Sequence, residues 1–408
     1  MSPVSFLPAI VAVCVALATA GLLAKWIGVT PVRGRYASID GLRGYLAFFV
    51  FLHHSCIWYF YAQSHSWDLP PSNLYTNFGQ TSVFLFFMIT GFLFFSKLLD
   101  AKTKPVDWGR LYVSRVLRLA PLYLLVMVLL FIVVFYLSNW TLREPLLPLL
   151  KGVVQWLSFS ALGEPDLNGV ANTSLIVAGV VWSLPYEWLF YLALPLLALG
   201  VGRQPVWRYV VIAVVLYAVM KLLHLRVLMV YPFAGGLAAA LIIRVERFKA
   251  FATCKRASLL VLMCLVLVVT LNTGRSNMTV PLFLLIVAFC LIACGNNLFG
   301  VLTSKVSRTL GEMAYSIYLL HGLVLFSTMT FVIGIDSVKM LSPFVYWSLI
   351  VAITPVLITL CAATFKWVEQ PAMHKTERVT AWLRSYRQPL AQSQPASDPG
   401  DIQRTERN

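Results

Sequence analysis

LAPLYLLVMVLLFIVVFYLS, residues 119–138, contains no charged side chain over twenty residues. Such a run is long enough to cross the hydrocarbon core of a bilayer as one α-helix. Similar runs recur along the whole chain and predict about eleven spans. The predicted spans lie near 4–24, 44–62, 78–99, 119–138, 175–200, 209–223, 227–243, 257–271, 280–300, 311–334 and 344–366. The sequence therefore predicts an all-α polytopic membrane protein.

The composition of the 408 residues supports this fold class. Hydrophobic residues make up 59% of the chain and charged residues only 12%, whereas a soluble domain carries about 25% charged residues. The alternation of polar and apolar residues that is typical of a membrane β-barrel is absent from the sequence. The net charge of +16 would suggest nucleic-acid binding in a soluble protein. Here it indicates basic loops on the cytoplasmic side of a membrane, and no nucleic-acid partner is expected.

The basic residues also predict the orientation of the chain. The start MSPVSFLP has no positive region before the first apolar run, so we expect an uncleaved helix with its N-terminus outside. Lys25, Arg33, Arg35 and Arg43 follow that helix. Alternating the later spans from there assigns 26 of the 32 Lys and Arg residues to the cytoplasmic side. The C-terminus is then cytoplasmic.

Residues 144–163 are apolar but contain two prolines and a lysine. Counting them as a span would reverse the side assigned to every later loop and remove the excess of Lys and Arg on the cytoplasmic side. We therefore expect an interfacial or re-entrant segment on the outer side. The surrounding stretch, 139–174, is the longest predicted external loop, and such loops often carry binding function.

The expected organisation has three parts. Residues 1–35 form an N-terminal transmembrane helix and a basic cytoplasmic linker, and 36–372 form the membrane domain. Residues 373–408 form a polar cytoplasmic tail, with a short surface helix near 376–387 followed by disorder.

The seven cysteines lie mostly in apolar runs, with no CxxC motif and no Cys/His metal-ligand spacing. We therefore expect neither a metal site nor a disulfide framework.

Ionisable residues inside apolar spans are costly and indicate function. Arg43 and His54 are eleven residues apart, so one helix would carry both on nearly the same face, separated by roughly 16 Å along its axis. Arg43 would lie at the cytoplasmic end and His54 near mid-membrane. His53 would point about 100° away from His54.

Other candidates have weaker signals. Glu187, the one acid in the middle of a predicted span, shares a helix face with Ser183, and His321 follows Ser316 by five residues. Arg115 and Arg118 lie three apart at a cytoplasmic helix entry, where guanidinium groups could clamp phosphates. Each residue also has a structural interpretation: a hydrogen-bonded packing histidine, a buried ion pair, or positive-inside anchoring.

Together these residues predict a basic cytoplasmic mouth leading to His, Glu and Ser side chains at mid-membrane depth. That arrangement suits a polyanionic donor entering from the cytoplasm. It suits equally a secondary transporter that uses the same buried charges for substrate or proton coupling.

Several ordered motifs make the chain resemble the acyltransferase-3 family of bacterial membrane O-acyltransferases. They are IDGLRGYLAFFVFLHH (39–54), FLFFMITGFLF (84–94), RVLRLAPLY (115–123), VWSLPYEWLFYLALP (181–195), LGEMAYSIYLLH (310–321) and FKWVEQP (365–371). The resemblance implies a ten-helix core, here preceded by one extra N-terminal helix. One departure is that Ser82 and Thr90 stand where many members have Gly and Ser.

The resemblance also implies a reaction and its residues. Members move an acyl group, usually acetyl, from cytoplasmic acyl-CoA to hydroxyls of glycans such as lipopolysaccharide. His54 and Glu187 would be catalytic. Arg43, Arg115 and Arg118 would bind acetyl-CoA, and the acceptor would contact Ser183, Ser316 and His321. No metal cofactor is expected.

The partners would be acyl-CoA, a glycan or lipid-linked saccharide, and membrane lipids, and the location the bacterial inner membrane. The alternatives are a glycan or anion permease and an acyltransferase that acts on a small secreted metabolite.

Overall fold

A computed structural model of the chain describes residues 2–28, 36–101, 105–200, 205–274 and 278–387. Over these ranges it has seventeen α-helices and no β-strand. The predicted all-α membrane fold is confirmed. Some of the predictions concern residues outside these ranges: Arg33, Arg35, Lys102, Lys104, Arg203, Arg275 and the tail beyond 387.

The first half of the chain contains α1 (Leu7–Ile27), α2 (Ala37–Ser64), α3 (Asn73–Asp100), α4 (Trp108–Leu137), α5 (Leu146–Leu157), α6 (Leu184–Leu199) and α7 (Val206–Leu222). The second half contains α8 (Tyr231–Ile242), α9 (Glu246–Ala252), α10 (Lys255–Leu271), α11 (Thr279–Ala293), α12 (Lys305–Glu312), α13 (Ala314–Ser327), α14 (Ile335–Met340), α15 (Pro343–Thr364), α16 (Gln370–His374) and α17 (Thr376–Arg387). The last of these helices coincides with the predicted surface helix.

Seven helical segments of the described chain are long and apolar enough to cross a membrane. An eighth is possible if the segment 227–242 and α9, which meet at a bend of 108°, form one span. Three further predicted spans correspond to shorter helices: α7 and α10 have 17 residues each and α11 has 15. The count of eleven spans therefore stays a prediction.

The N-terminal helix packs along the membrane domain through its smallest side chains. Ala12, Ala16, Ala20 and Ala24 recur every four residues on α1 and are buried against α12 and α15. Side chains of this size let helix backbones approach closely in a bilayer, where dispersion contacts drive helix association.

The predicted span 175–200 differs from the structure in its first half. Two short 3₁₀ turns, Thr173–Val177 and Val180–Ser183, precede α6. Ala178 and Gly179 between them have left-handed backbones, with φ of 52° and 63°. A hydrophobicity pattern does not reveal this break, because every residue in it is apolar or small. Non-helical backbone at membrane depth is tolerated where it is buried in protein or lines a cavity.

Residues 144–163 form α5 followed by turns. The twelve residues of α5 would be about 18 Å long, which is short of the roughly 30 Å of a bilayer core. This length favours the interfacial or re-entrant interpretation.

Two glycines on α2 allow α12 and its preceding loop to approach the helix backbone. A Cβ added to Gly41 would lie 1.9 Å from the Leu302 carbonyl oxygen, and one added to Gly44 would lie 2.6 Å from the Gly311 amide nitrogen. Gly311 is equally confined, with the Asp40 carbonyl oxygen 1.8 Å from its ideal Cβ position. The GLRG motif therefore fixes one face of α2 against α12.

Gly44→Ala is expected to destabilise the protein by about 1–3 kcal/mol, the usual cost of overpacking, because backbone atoms must shift to accept the methyl group. Gly21→Ala on α1 is the matched control, since its nearest neighbour would be a Val306 methyl at an ordinary 3.5 Å. Thermal unfolding of the two variants in the same detergent measures the difference. Equal transition temperatures would contradict the close α2–α12 contact.

Candidate active site

The first part of the site is the inner cavity, a space of about 270 Å³ at the N-terminal end of α2. It is lined by Arg43 from α2, Arg115 and Arg118 from α4, Ser183 from the 3₁₀ turn before α6, and Glu187 from the first turn of α6. The structure thus brings together five of the side chains that the sequence singled out.

Neighbouring aromatic residues position these charges. The Arg115 guanidinium carbon lies 5.5 Å from the centroid of the Phe94 ring, a cation–π distance. The Tyr191 hydroxyl donates a hydrogen bond to Glu187, one turn earlier on α6.

Asp40 also lines the inner cavity, although it was not among the residues predicted from the sequence. The acid–x–x–Arg spacing within IDGLR was the available signal, because residues three apart share a helix face.

Arg115 also lines a second space of about 770 Å³. Its other charged or titratable lining residues are Lys97, Arg110, His374, Asp100, Asp107 and Glu377. Helix α17 covers one side of this space through ion pairs between Arg110 and Glu377 and between Arg384 and Asp107. The Arg110 amide donates to Asp107 at 3.1 Å and holds the pKa of that carboxyl below its usual value. The inner cavity therefore shares Arg115 with a wider space whose acidic side chains are held in ion pairs.

The second part of the site is the outer cavity, about 830 Å³, which lies further along α2 than the inner cavity. Its lining includes His53 and His54 from α2, Trp182 from the second 3₁₀ turn, and Ser160 and Glu164 from the loop after α5. That loop lies within 139–174, for which the sequence predicted a binding role. Burial raises the pKa of Glu164 to about 7, so its carboxyl becomes fully ionised only above neutral pH.

His54 forms a hydrogen-bonded pair with His321 of α13. The His321 Nδ1 atom lies 2.9 Å from the Ile317 carbonyl, so it carries a proton, and Nε2 of the neutral ring is an acceptor. The His54 Nδ1 atom lies 3.0 Å from both His321 Nε2 and the Val50 carbonyl. Both neighbours are acceptors, which assigns the proton of neutral His54 to Nδ1 and leaves its Nε2 lone pair available as a base.

His321 itself is fully buried. Its position beside His54 is that of a residue that orients another imidazole. His321, which the sequence predicted to contact the acceptor, is not among the residues that line either cavity and is instead the hydrogen-bond partner of His54.

Ser316 is not among the residues that line either cavity, and His53, although it lines the outer cavity, is hydrogen-bonded to backbone. Ser316 is fully buried and donates a hydrogen bond to Glu369, with Thr364 donating to Ser316 at 3.3 Å. The His53 Nδ1 atom lies 2.8 Å from the Tyr75 carbonyl. Glu369, in the FKWVEQP motif, is a buried acid that the sequence reasoning did not select. The sequence signal for Glu369 was an acidic residue between the end of the predicted span 344–366 and the proline of the FKWVEQP motif.

The chain was compared with known proteins. A family model described as an acyltransferase domain matches residues 36–365. The acyltransferase MdmB of Streptomyces mycarofaciens is 29% identical over 180 residues, which cover 43% of this chain and 42% of that protein. The chain therefore matches less than half of that relative's length. No solved structure matches the chain.

Proposed function

Since this chain belongs to the acyltransferase-3 family of acyltransferases, we propose that it moves an acyl group, acetyl in the simplest case, from cytoplasmic acyl-CoA to a hydroxyl of a cell-surface or exported glycan. The observation that carries this proposal is that the candidate residues line two separate cavities. Three arginines line one cavity and a paired histidine lines the other, and Arg43 and His54 are eleven residues apart on α2.

The inner cavity suits the acyl donor. Coenzyme A carries several phosphate charges, and guanidinium groups bind phosphate through paired hydrogen bonds. Arg43, Arg115 and Arg118 supply three such groups, and Lys97 adds a further cation in the adjoining space, where Arg110 is paired with Glu377. The positive-inside pattern supports a cytoplasmic position for these residues, the side from which acyl-CoA would enter.

The outer cavity suits the acceptor. Glu164 offers a carboxylate that can accept hydrogen bonds from hydroxyls, and Trp182 is 39% exposed and offers an aromatic face. A volume of about 830 Å³ is within the range of ordinary ligand pockets. An alcohol bound here would reach the free Nε2 atom of His54.

The chemistry then follows from the two cavities. His54 takes the proton of the acceptor hydroxyl, whose oxygen attacks the thioester carbonyl carbon. A carbon–oxygen bond forms, the carbon–sulfur bond breaks, and the proton passes from His54 to the departing thiolate. The same residues also fit an acyl-His54 intermediate, in which the imidazole attacks first and the acceptor hydroxyl second.

The decisive test uses surface polysaccharide from a strain lacking the gene, purified protein in liposomes, and isotopically labelled acetyl-CoA. We expect ester-linked acetyl groups by proton NMR, which disappear after mild alkali and depend on the donor. Ester formation on a small secreted metabolite alone would change the acceptor class. Movement of unmodified glycan across the liposome without ester formation would instead support a transporter.

A further inference from the structure

The inner and outer cavities approach each other at one wall. Val83 of α3 and Tyr318 of α13 line both of them. On α13, Tyr315 faces the inner cavity, Tyr318 follows one turn later, and His321 lies one further turn along, beside His54. Tyr318 therefore stands between the arginines and the histidine pair.

Hydrogen bonds hold Tyr318 in this wall. Its hydroxyl donates to the Val180 carbonyl at 2.9 Å and lies 2.8 Å from the Ser183 hydroxyl. Both partners belong to the 3₁₀ turn before α6. Val180 lines the outer cavity and Ser183 the inner cavity, so this turn forms the other half of the same wall.

The backbone next to the wall departs from regular helix. The turn follows Ala178 and Gly179, both left-handed, and short 3₁₀ segments inside apolar helical regions often mark hinges. The Tyr318 hydroxyl makes two hydrogen bonds to the turn, and its ring packs against Phe86 and His321. Of the two side chains that line both cavities, Val83 and Tyr318, Tyr318 is the one that hydrogen-bonds to the turn.

We propose that Tyr318 is the movable part of the wall. When its bonds to Val180 and Ser183 break, a passage opens through which the acyl-bearing end of the donor reaches His54 while the phosphates stay with the arginines. Tyr318 is a positioning residue in this scheme. The inference rests on the proposed function, because only a donor bound on one side and a base on the other require a passage.

Cysteine accessibility tests the wall without any substrate. The seven native cysteines are replaced, and a single cysteine is placed at Gln80 in the outer cavity or at Thr90 in the inner cavity. Intact cells are treated with a membrane-impermeant methanethiosulfonate reagent, and the modified fraction is measured by mass spectrometry. We expect Gln80→Cys to react and Thr90→Cys to be protected.

Adding Tyr318→Ala should raise external modification of Thr90→Cys by about tenfold to a thousandfold, because a minor open state is ordinarily populated at about 0.1–10%. Tyr318→Phe, which keeps the ring but loses the hydrogen bonds, should give a smaller rise. Tyr315→Ala is the matched control, since this residue lines the inner cavity alone and its loss should leave Thr90→Cys protected.

Two results would overturn the inference: external reaction of Thr90→Cys with Tyr318 intact, or continued protection after Tyr318→Ala in protein that elutes as a folded species. Failure of the proposed function has a different signature. In that case wild-type protein forms no ester from acyl-CoA, whatever the accessibility of Thr90→Cys. Ester formation by wild type together with an unresponsive Tyr318→Ala variant rejects the role of Tyr318 alone.

Discussion

Replacing His54 with alanine is expected to lower the rate of acyl transfer by roughly 10²- to 10⁴-fold, the usual contribution of a positioned general base. The Nε2 atom of this residue is the unprotonated imidazole nitrogen that the hydrogen-bond network leaves available in the outer cavity. Initial rates with labelled acetyl-CoA and a saturating acceptor measure the effect. The loss should appear in kcat, because the imidazole acts on the proton that moves during the reaction.

His53→Gln is the matched control, since the two histidines are adjacent on α2 and both line the outer cavity. The His53 imidazole is bonded to the Tyr75 carbonyl, so its replacement should leave kcat within a few-fold of wild type. His321→Gln should fall between the two, because it removes the imidazole that orients His54 without removing the base. A His54→Ala variant as active as wild type would contradict the assignment of the base.

The position of His54 relative to Arg43 could be predicted, because both residues lie on one helix and the helical period fixes their spacing and their shared face. The partner of His54 could not be predicted in this way. His321 lies 267 residues later, and its contact depends on how α13 packs against α2. The close contacts of Gly41, Gly44 and Gly311 contribute to that packing, since they seat the short helix just before α13 against α2.

The predicted role of Glu187 illustrates a second limit. The sequence placed Glu187 and His54 in one mid-membrane group, whereas the structure puts Glu187 in the inner cavity and His54 in the outer one. The difference arises because residues 173–183 do not continue α6 as a straight helix. Apolar residues fill both regular and irregular buried backbone, so hydropathy alone does not separate them.

Loss of Arg118 is expected to raise the KM for acyl-CoA by roughly ten- to 150-fold, because a hydrogen bond to a charged group contributes about 1.5–3 kcal/mol. Arg118→Met removes the charge and keeps much of the side-chain volume. Arg118→Lys keeps the charge but loses the planar fork, so it should recover only part of the affinity. Steady-state kinetics with varied acyl-CoA, at fixed acceptor, measure the change.

Arg226→Met provides the matched control, since this arginine lines the outer cavity and is exposed. This substitution should leave the KM for acyl-CoA unchanged. If it changes either KM, the change should be in the KM for the acceptor.

The wild-type KM for acyl-CoA should also rise with salt concentration, because phosphate contacts at a solvent-connected site are screened. Arg118→Met should weaken that dependence. If Arg118→Met altered only the acceptor KM, the donor would have to bind elsewhere. The division of the two substrates between the inner and outer cavities would then be wrong.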